Sequence, residues 1–390
     1  MSRKTSFVLF TLSCFALLLV VAVACSAQAV QVSPTASGGA DVNAAVQGST
    51  GGQGGGRIAF VSDRGGQVDL WSMDSSGSSL KQVTKDVDKE SAPAWSPNGR
   101  QLAYTVLRQS GYKLMVVDSS GGTPVKVFES DKPLESVWST DSAGLFVKSD
   151  SYNNVNVPAI YFAAKDGGTV REVLRSEEAP FGGLSAAPGK VAAAVQTADG
   201  AGIYFSDGSD RSMDVNVESS GPAISGADPV LSPDGRYISF SAPPMDDDPV
   251  LWVKDLQLGS KVAINADSAS RRWDHGVTWA PDGKRLAFVR SSVSWLANNG
   301  RPEAAVQSGQ AELGDEGLRI AAGDGTVVKR LTGNKTDTSP VWSQDGTWLA
   351  FMSARGRTAG SDIWVVNISG ENPKNLTNGN GSSWSPTWSR

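Results

Sequence analysis

The sequence predicts an all-β fold, a β-propeller of seven four-stranded blades, on three observations. A short phrase returns along the chain, as in Trp95-Ser96-Pro97-Asn98-Gly99 followed by Leu102-Ala103-Tyr104, or Trp279-Ala280-Pro281-Asp282-Gly283 followed by Leu286-Ala287-Phe288. The apolar residue before each turn falls at Trp95, Trp138, Leu184, Leu231, Trp279, Trp342 and Trp388, with spacings of 43, 46, 47, 48, 63 and 46 residues. All but one spacing lie in the mid-forties, the length of a four-stranded blade. The chain holds 43 glycines and only 19% charged residues, and its apolar runs are short and separated by glycine-bearing turns, as in all-β chains.

Residues 1–25 carry the marks of a bacterial lipoprotein signal peptide. Arg3 and Lys4 give a positive start, residues 7–23 an apolar core, and Ala22-Val23-Ala24-Cys25 resembles a lipobox, with Cys25 as the lipidated residue. Cys14 lies inside the apolar core and is read as a passenger. Residues 26–56 are rich in Gly, Ser and Ala and hold no aromatic residue. Such a stretch buries too little surface to offset its ordering entropy, so it is expected to be a flexible tether with a reach of ~30 Å. Residues 57–390 are expected to be the propeller.

Within each period four strand-like runs follow one another, A to D. Strand A ends at the anchor residue, and a Pro-Asn/Asp-Gly turn leads to B, with proline fixing φ and glycine accepting φ > 0. Seven B runs can be placed, including Ile58-Ala59-Phe60, Leu145-Phe146-Val147 and Leu349-Ala350-Phe351. Blade three has Thr140-Asp141-Ser142-Ala143-Gly144 in place of the turn, and blade four has Ala186-Ala187-Pro188-Gly189 and no anchor tryptophan. A six-bladed ring is the alternative, should residues 180–225 be irregular. The folded part opens on a B run at residue 57 and closes on an A run, Pro386-Thr387-Trp388-Ser389. The C-terminal strand is therefore expected to pair into the first blade and close the ring, leaving no open sheet edge.

Trp-Ser-Pro-Asp-Gly, Leu-Ala-Phe, Ser62-Asp63-Arg64-Gly65-Gly66, Asp69-Leu70-Trp71 and a closing Leu-Thr together resemble the TolB-type propeller repeat, a Pro-Asp variant of WD-like repeats. The resemblance covers most of residues 57–390 and is weakest in blades three and four. It implies the fold. The same repeat occurs in envelope scaffolds, in propellers that precede peptidase domains and in some polysaccharide lyases. The chain has no Gly-x-Ser-x-Gly elbow, which speaks against the peptidase reading.

Without Arg3 and Lys4 the chain has 33 basic against 40 acidic residues, which argues against a nucleic-acid partner. Both cysteines lie in the first 25 residues, so the folded part has no disulfide and no thiol ligand, and no metal or cofactor is expected. Asp246-Asp247-Asp248 lacks the ligand spacing of a calcium loop and is read as a solvated acidic stretch.

The only histidine is His275, in Arg271-Arg272-Trp273-Asp274-His275, expected on the D–A connection at the rim of the channel. An Asp beside a His has the chemistry of an acid–base pair, although a packed histidine is the plainer reading and no catalytic constellation accompanies it. The long interval between Trp279 and Trp342 places its excess at residues 291–316, on the same face. Trp273 and Trp295 stand off the repeat, and off-pattern tryptophan near arginine is the composition of binding hot spots. Arg271, Arg272, Trp273, Asp274, His275 and Trp295 are therefore the candidate binding residues. The expected role is a monomeric, membrane-anchored scaffold that binds envelope proteins, facing the periplasm or the cell exterior. The rival is a glycan-binding or glycan-cleaving propeller in which Trp273 and Trp295 stack on sugar rings.

Overall fold

The computed structural model describes residues 54–85, 89–153, 155–176, 181–197, 200–206, 212–215, 229–242, 250–264, 272–292, 316–326 and 328–389. These residues form seven four-stranded antiparallel sheets and no helix. The first joins β1 (Arg57–Ser62), β2 (Asp69–Asp74) and β3 (Lys81–Gln82) to the last strand of the chain, β28 (Ser383–Trp388). The second is β4 (Lys89–Trp95), β5 (Gln101–Arg108), β6 (Gly111–Asp118) and β7 (Val125–Ser130). The third is β8 (Leu134–Trp138), β9 (Gly144–Ser149), β10 (Ala159–Ala164) and β11 (Val170–Arg175). The fourth is β12 (Phe181–Ala187), β13 (Lys190–Thr197), β14 (Gly200–Ser206) and β15 (Ser212–Val215), and the fifth β16 (Val230–Leu231), β17 (Tyr237–Ala242), β18 (Val250–Asp255) and β19 (Lys261–Ile264). The sixth is β20 (Arg272–Trp279), β21 (Arg285–Ser292), β22 (Gly317–Ala322) and β23 (Val328–Arg330), and the seventh β24 (Thr338–Trp342), β25 (Trp348–Ser353), β26 (Asp362–Asn367) and β27 (Lys374–Asn375). The chain is an all-β propeller of four-stranded sheets.

The recurring phrase is a lock between neighbouring sheets. Side chains on a strand alternate between its two faces, and each B strand has a neighbouring sheet on both. Ile58 and Phe60 enter the apolar cluster shared with the seventh sheet, while Ala59 and Val61 enter the one shared with the second. In β21, Leu286 and Phe288 face the fifth sheet and Ala287 and Val289 the seventh. The small middle residue makes room for the tryptophan of the next sheet. Ala59 shares a cluster with Trp95, Ala103 with Trp138, Ala287 with Trp342 and Ala350 with Trp388. In the fifth sheet Ser239 takes this place and its Oγ accepts the Trp279 indole N–H at 3.2 Å. The indole N–H groups of Trp138, Trp279 and Trp342 also donate to the carbonyls of Ala94, Val230 and Thr278 on the preceding A strand, at 3.0, 3.0 and 3.1 Å.

Between the third and fourth sheets the volumes are exchanged. Phe146 stands where the other sheets have a small residue, and Leu184 stands in place of tryptophan, in the same seam. The backbone N–H of Leu184 donates to Glu135 Oε1 at 2.9 Å, and that of Leu231 to Ser185 Oγ at 2.9 Å, so polar ties persist where the indole is missing. Seven apolar clusters fill the seven seams, the last joining the seventh sheet to the first.

The turns follow the expected chemistry. Ser96 Oγ donates to Asn98 Oδ1 at 2.8 Å, and Gly99 has φ 69°. In the third sheet Ser142, with φ 59°, holds the glycine position. The fourth sheet, in the region of the six-bladed alternative, replaces the turn by a two-residue connection, Pro188-Gly189. Closure is direct: Ile58 pairs with Trp388 and Ser62 with Ser383. Ser389 donates its N–H to Arg57 O at 2.8 Å, and the Arg57 N–H returns to Ser389 Oγ at 2.8 Å. Ser96 and Gln101 make the same pair of bonds across a continuous A–B turn. Residue 57 and residue 389 thus sit where an A–B turn would be.

Candidate functional site

In an up-and-down blade the A–B and C–D turns share one face of the ring, and the B–C and D–A connections share the other. Of the candidate residues, Arg272 to His275 lie at the start of an A strand, toward the second face. Their local structure differs from the expected connection: Arg272–Trp279 is a continuous A strand, with Arg272 paired to Ser292, Trp273 to Ser291 and Asp274 to Arg290. The strand outruns its apolar pattern because a bulge at Gly276, φ 60°, takes up one residue between His275 and Thr278. Ala92, Ser339 and Ser385 hold the equivalent bulges in β4, β24 and β28 with φ of 50°, 53° and 50°.

Asp274 and His275 each meet a residue of β21, Arg290 and Ser291. Asp274 is buried and makes a fork-on-fork contact with buried Arg290, Nε to Oδ1 at 2.7 Å and a terminal nitrogen to Oδ2 at 2.6 Å. The guanidinium also lies 5.9 Å from the Phe288 ring centroid. Ser241 Oγ donates to the Asp274 carbonyl at 2.9 Å and ties the fifth sheet to the sixth. His275 Nε2 meets Ser291 Oγ at 3.0 Å. Burial lowers the imidazole pKa from 6.5 to about 4, so the ring is neutral at neutral pH. Both side chains are engaged in holding β20 against its neighbours.

Arg290 was not among the expected residues, although it carries a signal. It continues the alternation of Leu286 and Phe288 and therefore points inward, where a charge requires a partner. Two more acids stand five residues before an anchor tryptophan. Glu90 is 2% exposed, and its Oε2 accepts the Leu70 N–H at 2.8 Å and Thr84 Oγ1 at 2.5 Å across the first seam. Asp337 is fully buried and paired with Arg355, whose guanidinium stacks 4.7 Å from the Trp364 ring centroid. These acids bind the start of an A strand into the ring.

Asp69 and Asp362 have related work at the start of strand C. Asp362 Oδ1 accepts Thr377 Oγ1 at 2.7 Å and the Gly379 N–H at 3.0 Å, which holds its carboxyl below the usual range despite burial. Asp69 Oδ2 accepts Gln82 Nε2 at 2.8 Å. The closing Thr84 and Thr377 hydroxyls accept the N–H of Leu70 and Ile363.

Arg271, Trp295, the acidic run 246–248, Cys25 and the tether up to residue 53 lie outside the described residues, as do 293–315. Of Arg272 and Trp273 only the strand position is described. Among the described residues no cluster of three His, Cys, Asp or Glu side chains is placed to hold a metal ion.

No protein-family model matches the chain. A stretch of 120 residues is 25% identical to the Tol-Pal system protein TolB of Desulfosudis oleivorans, covering 31% of this chain and 27% of that protein's own length. The crystal structure of TolB from Acinetobacter baumannii superposes with a TM-score of 0.52 at 17% identity, over 83% of this chain and 79% of that one. The β-propeller domain of the Trilobed protease from Pyrococcus furiosus, which has an open velcro topology, gives 0.59 at 13% identity over 83% and 93%. At these identities the structural likenesses speak to fold, and in this chain β28 pairs with β1. Repeat, sheet order and these likenesses agree that the chain is a TolB-type β-propeller.

Proposed function

We propose that the chain is an exported, lipid-anchored, seven-bladed propeller that binds protein partners at the bacterial cell envelope through the face carrying its B–C and D–A connections. Seven sheets and seven apolar seams support the blade number. The Ala22-Val23-Ala24-Cys25 run supports export and lipidation at Cys25. The matching relative from Desulfosudis oleivorans is, by its name, a Tol-Pal system protein, which supports an envelope role.

The observation that carries the choice of face is the seat of residues 54–56. The Gly55 carbonyl accepts the Trp388 indole N–H at 2.8 Å. A Cβ on Gly54 would lie 2.5 Å from Ser343 Cβ, and one on Gly56 would lie 2.8 Å from the Ser389 carbonyl. The chain therefore enters the ring on the A–B face. An anchor attached there through the expected tether favours an orientation in which the opposite face, with the start of β20 and the end of β21, looks away from the membrane. The paired strands β20 and β21, eight residues each, carry the longest connection of the ring toward that side.

The test is crosslinking in envelope preparations with the full chain and with a variant in which a short turn replaces residues 293–315. An envelope protein that crosslinks to the full chain and is lost from the variant, at unchanged melting temperature, supports the proposal. An identical set of partners overturns the choice of face. For the anchor, Cys25→Ser should release the chain from the membrane fraction, and continued retention overturns lipidation.

A further inference from the structure

A groove of about 520 Å³ runs along the outer edge of β7, between the second and third sheets, away from the residues considered above. We propose that it binds an uncharged oligosaccharide. Its volume lies within the range of small-ligand sites.

The floor is aromatic. Phe128 and Tyr152 stack with centroids 4.7 Å apart at 20°, and Tyr161 lies 5.4 Å from Phe128 and 4.9 Å from Tyr152. Phe128 is buried, and Tyr152 is half-buried and lines the groove. A planar apolar ring backed by a second ring is a fixed platform for the C–H face of a pyranose. The turn that presents it is also fixed: Tyr152 and Val155 exchange backbone bonds of 3.1 and 3.0 Å, and Asn153 has φ 50°.

The walls supply both hydrogen-bond senses. Exposed Asp131 and Asn153 and half-buried Glu129 offer carboxylate and amide oxygens, and Asn153 and Lys126 offer donors. Hydroxyls both donate and accept, so a sugar satisfies such a mixed rim. Charge selects among sugars. Lys126 is held by Glu129 at 2.6 Å, and Asp131 adds a further carboxylate. Among the described lining residues Lys126 is the one cation against two carboxylates, so acidic glycans are disfavoured.

An extended peptide fits less well. Addition of a strand to β7 requires its outer backbone edge. The turn of the third sheet lies on that edge, close enough that a Cβ on Gly167 would stand 2.8 Å from the Lys126 carbonyl. The β6–β7 register also breaks between Leu114 and Met115, which interrupts the regular spacing a new strand would copy.

Asp131 and Asn153 lie on a D–A and a B–C connection, the kind that makes up the face assigned above to the partner, but a sugar array reads the groove with no envelope protein present. Its test is an array of malto-, cello-, manno- and chito-oligosaccharides beside oligogalacturonates, probed with the full chain, followed by calorimetry on the retained sugar. A neutral oligosaccharide should bind, and Asn153→Gly and Asp131→Asn should each weaken it about tenfold. Asn153→Gly suits the left-handed backbone and should leave the melting temperature unchanged, whereas Tyr152→Ala also removes a ring stack and is read only if the fold persists. Binding lost in these variants supports the site. Absence of any neutral ligand at millimolar concentration, preference for oligogalacturonate, or undiminished binding by both Asn153→Gly and Asp131→Asn overturns it.

Discussion

Trp388→Ala probes the one seam that no continuous chain crosses. Trp388 is 3% exposed, packed among Ile58, Phe60, Ala350 and Val365, and bonded to the Gly55 carbonyl at 2.8 Å. Truncating a buried tryptophan costs about 3–5 kcal/mol. The lost indole bond adds little, because the Gly55 carbonyl lies near the surface and water replaces the donor. Unfolding entropy scales with length, so for a domain of this size 1 kcal/mol moves the melting temperature by about 1.5 °C. The variant should therefore melt about 4–7 °C lower. Trp342→Ala removes the equivalent ring from a seam bridged by the chain itself and gives a matched comparison. Its amide-exchange pattern should stay as in the wild type across β1. In Trp388→Ala, exchange should accelerate at Ile58–Val61, since the pairing of β28 with β1 can then open without global unfolding. A melting temperature within 1 °C of wild type, with unchanged exchange in β1, would refute the closure argument.

Three further outcomes test the ring elsewhere. Asp274→Ala strands the buried guanidinium of Arg290 and should cost about 3–5 kcal/mol by urea denaturation, while Asp274→Leu combined with Arg290→Met should recover most of that loss. His275 is the sole histidine, and its pKa is lowered in the fold to about 4. The unfolded chain therefore binds the extra proton first: the contribution is full above about pH 6.5 and declines by up to about 3 kcal/mol as the pH falls toward 4. A His275→Gln variant should lose that part of the acid dependence, and an imidazole resonance titrating near 6.5 in the native protein would contradict the burial. Ala92 takes φ 50° at a bulge where the sixth sheet has glycine, so Ala92→Gly should gain about 0.5–1 kcal/mol, and a loss of stability would show that its methyl group matters more than the backbone.

The ring was legible in the sequence because its lock repeats. Tryptophan, a five-residue turn and Leu-Ala-Phe encode one seam after another, and the period follows from their spacing. The weak third and fourth copies were hard to read for a physical reason: a seam constrains the sum of two volumes, one from each sheet. Phe146 with Leu184 fills the space that alanine with tryptophan fills elsewhere, so each copy looks degenerate alone while the pair is intact. The strand that carries Arg272 to His275 left a weaker trace. The apolar alternation stops at Gly276, and a bulge carries the strand four residues further. Bulges leave little trace in composition, because alanine or serine holds three of the four positions. Asp274 and His275 then prove to be held inside the sheet, each with its own partner. In a ring where every B strand is covered on both sides, an inward charge at the end of an apolar run, such as Arg290, predicts a buried acid on the neighbouring A strand. Reactive-looking dipeptides at the start of an A strand are therefore expected to be ties.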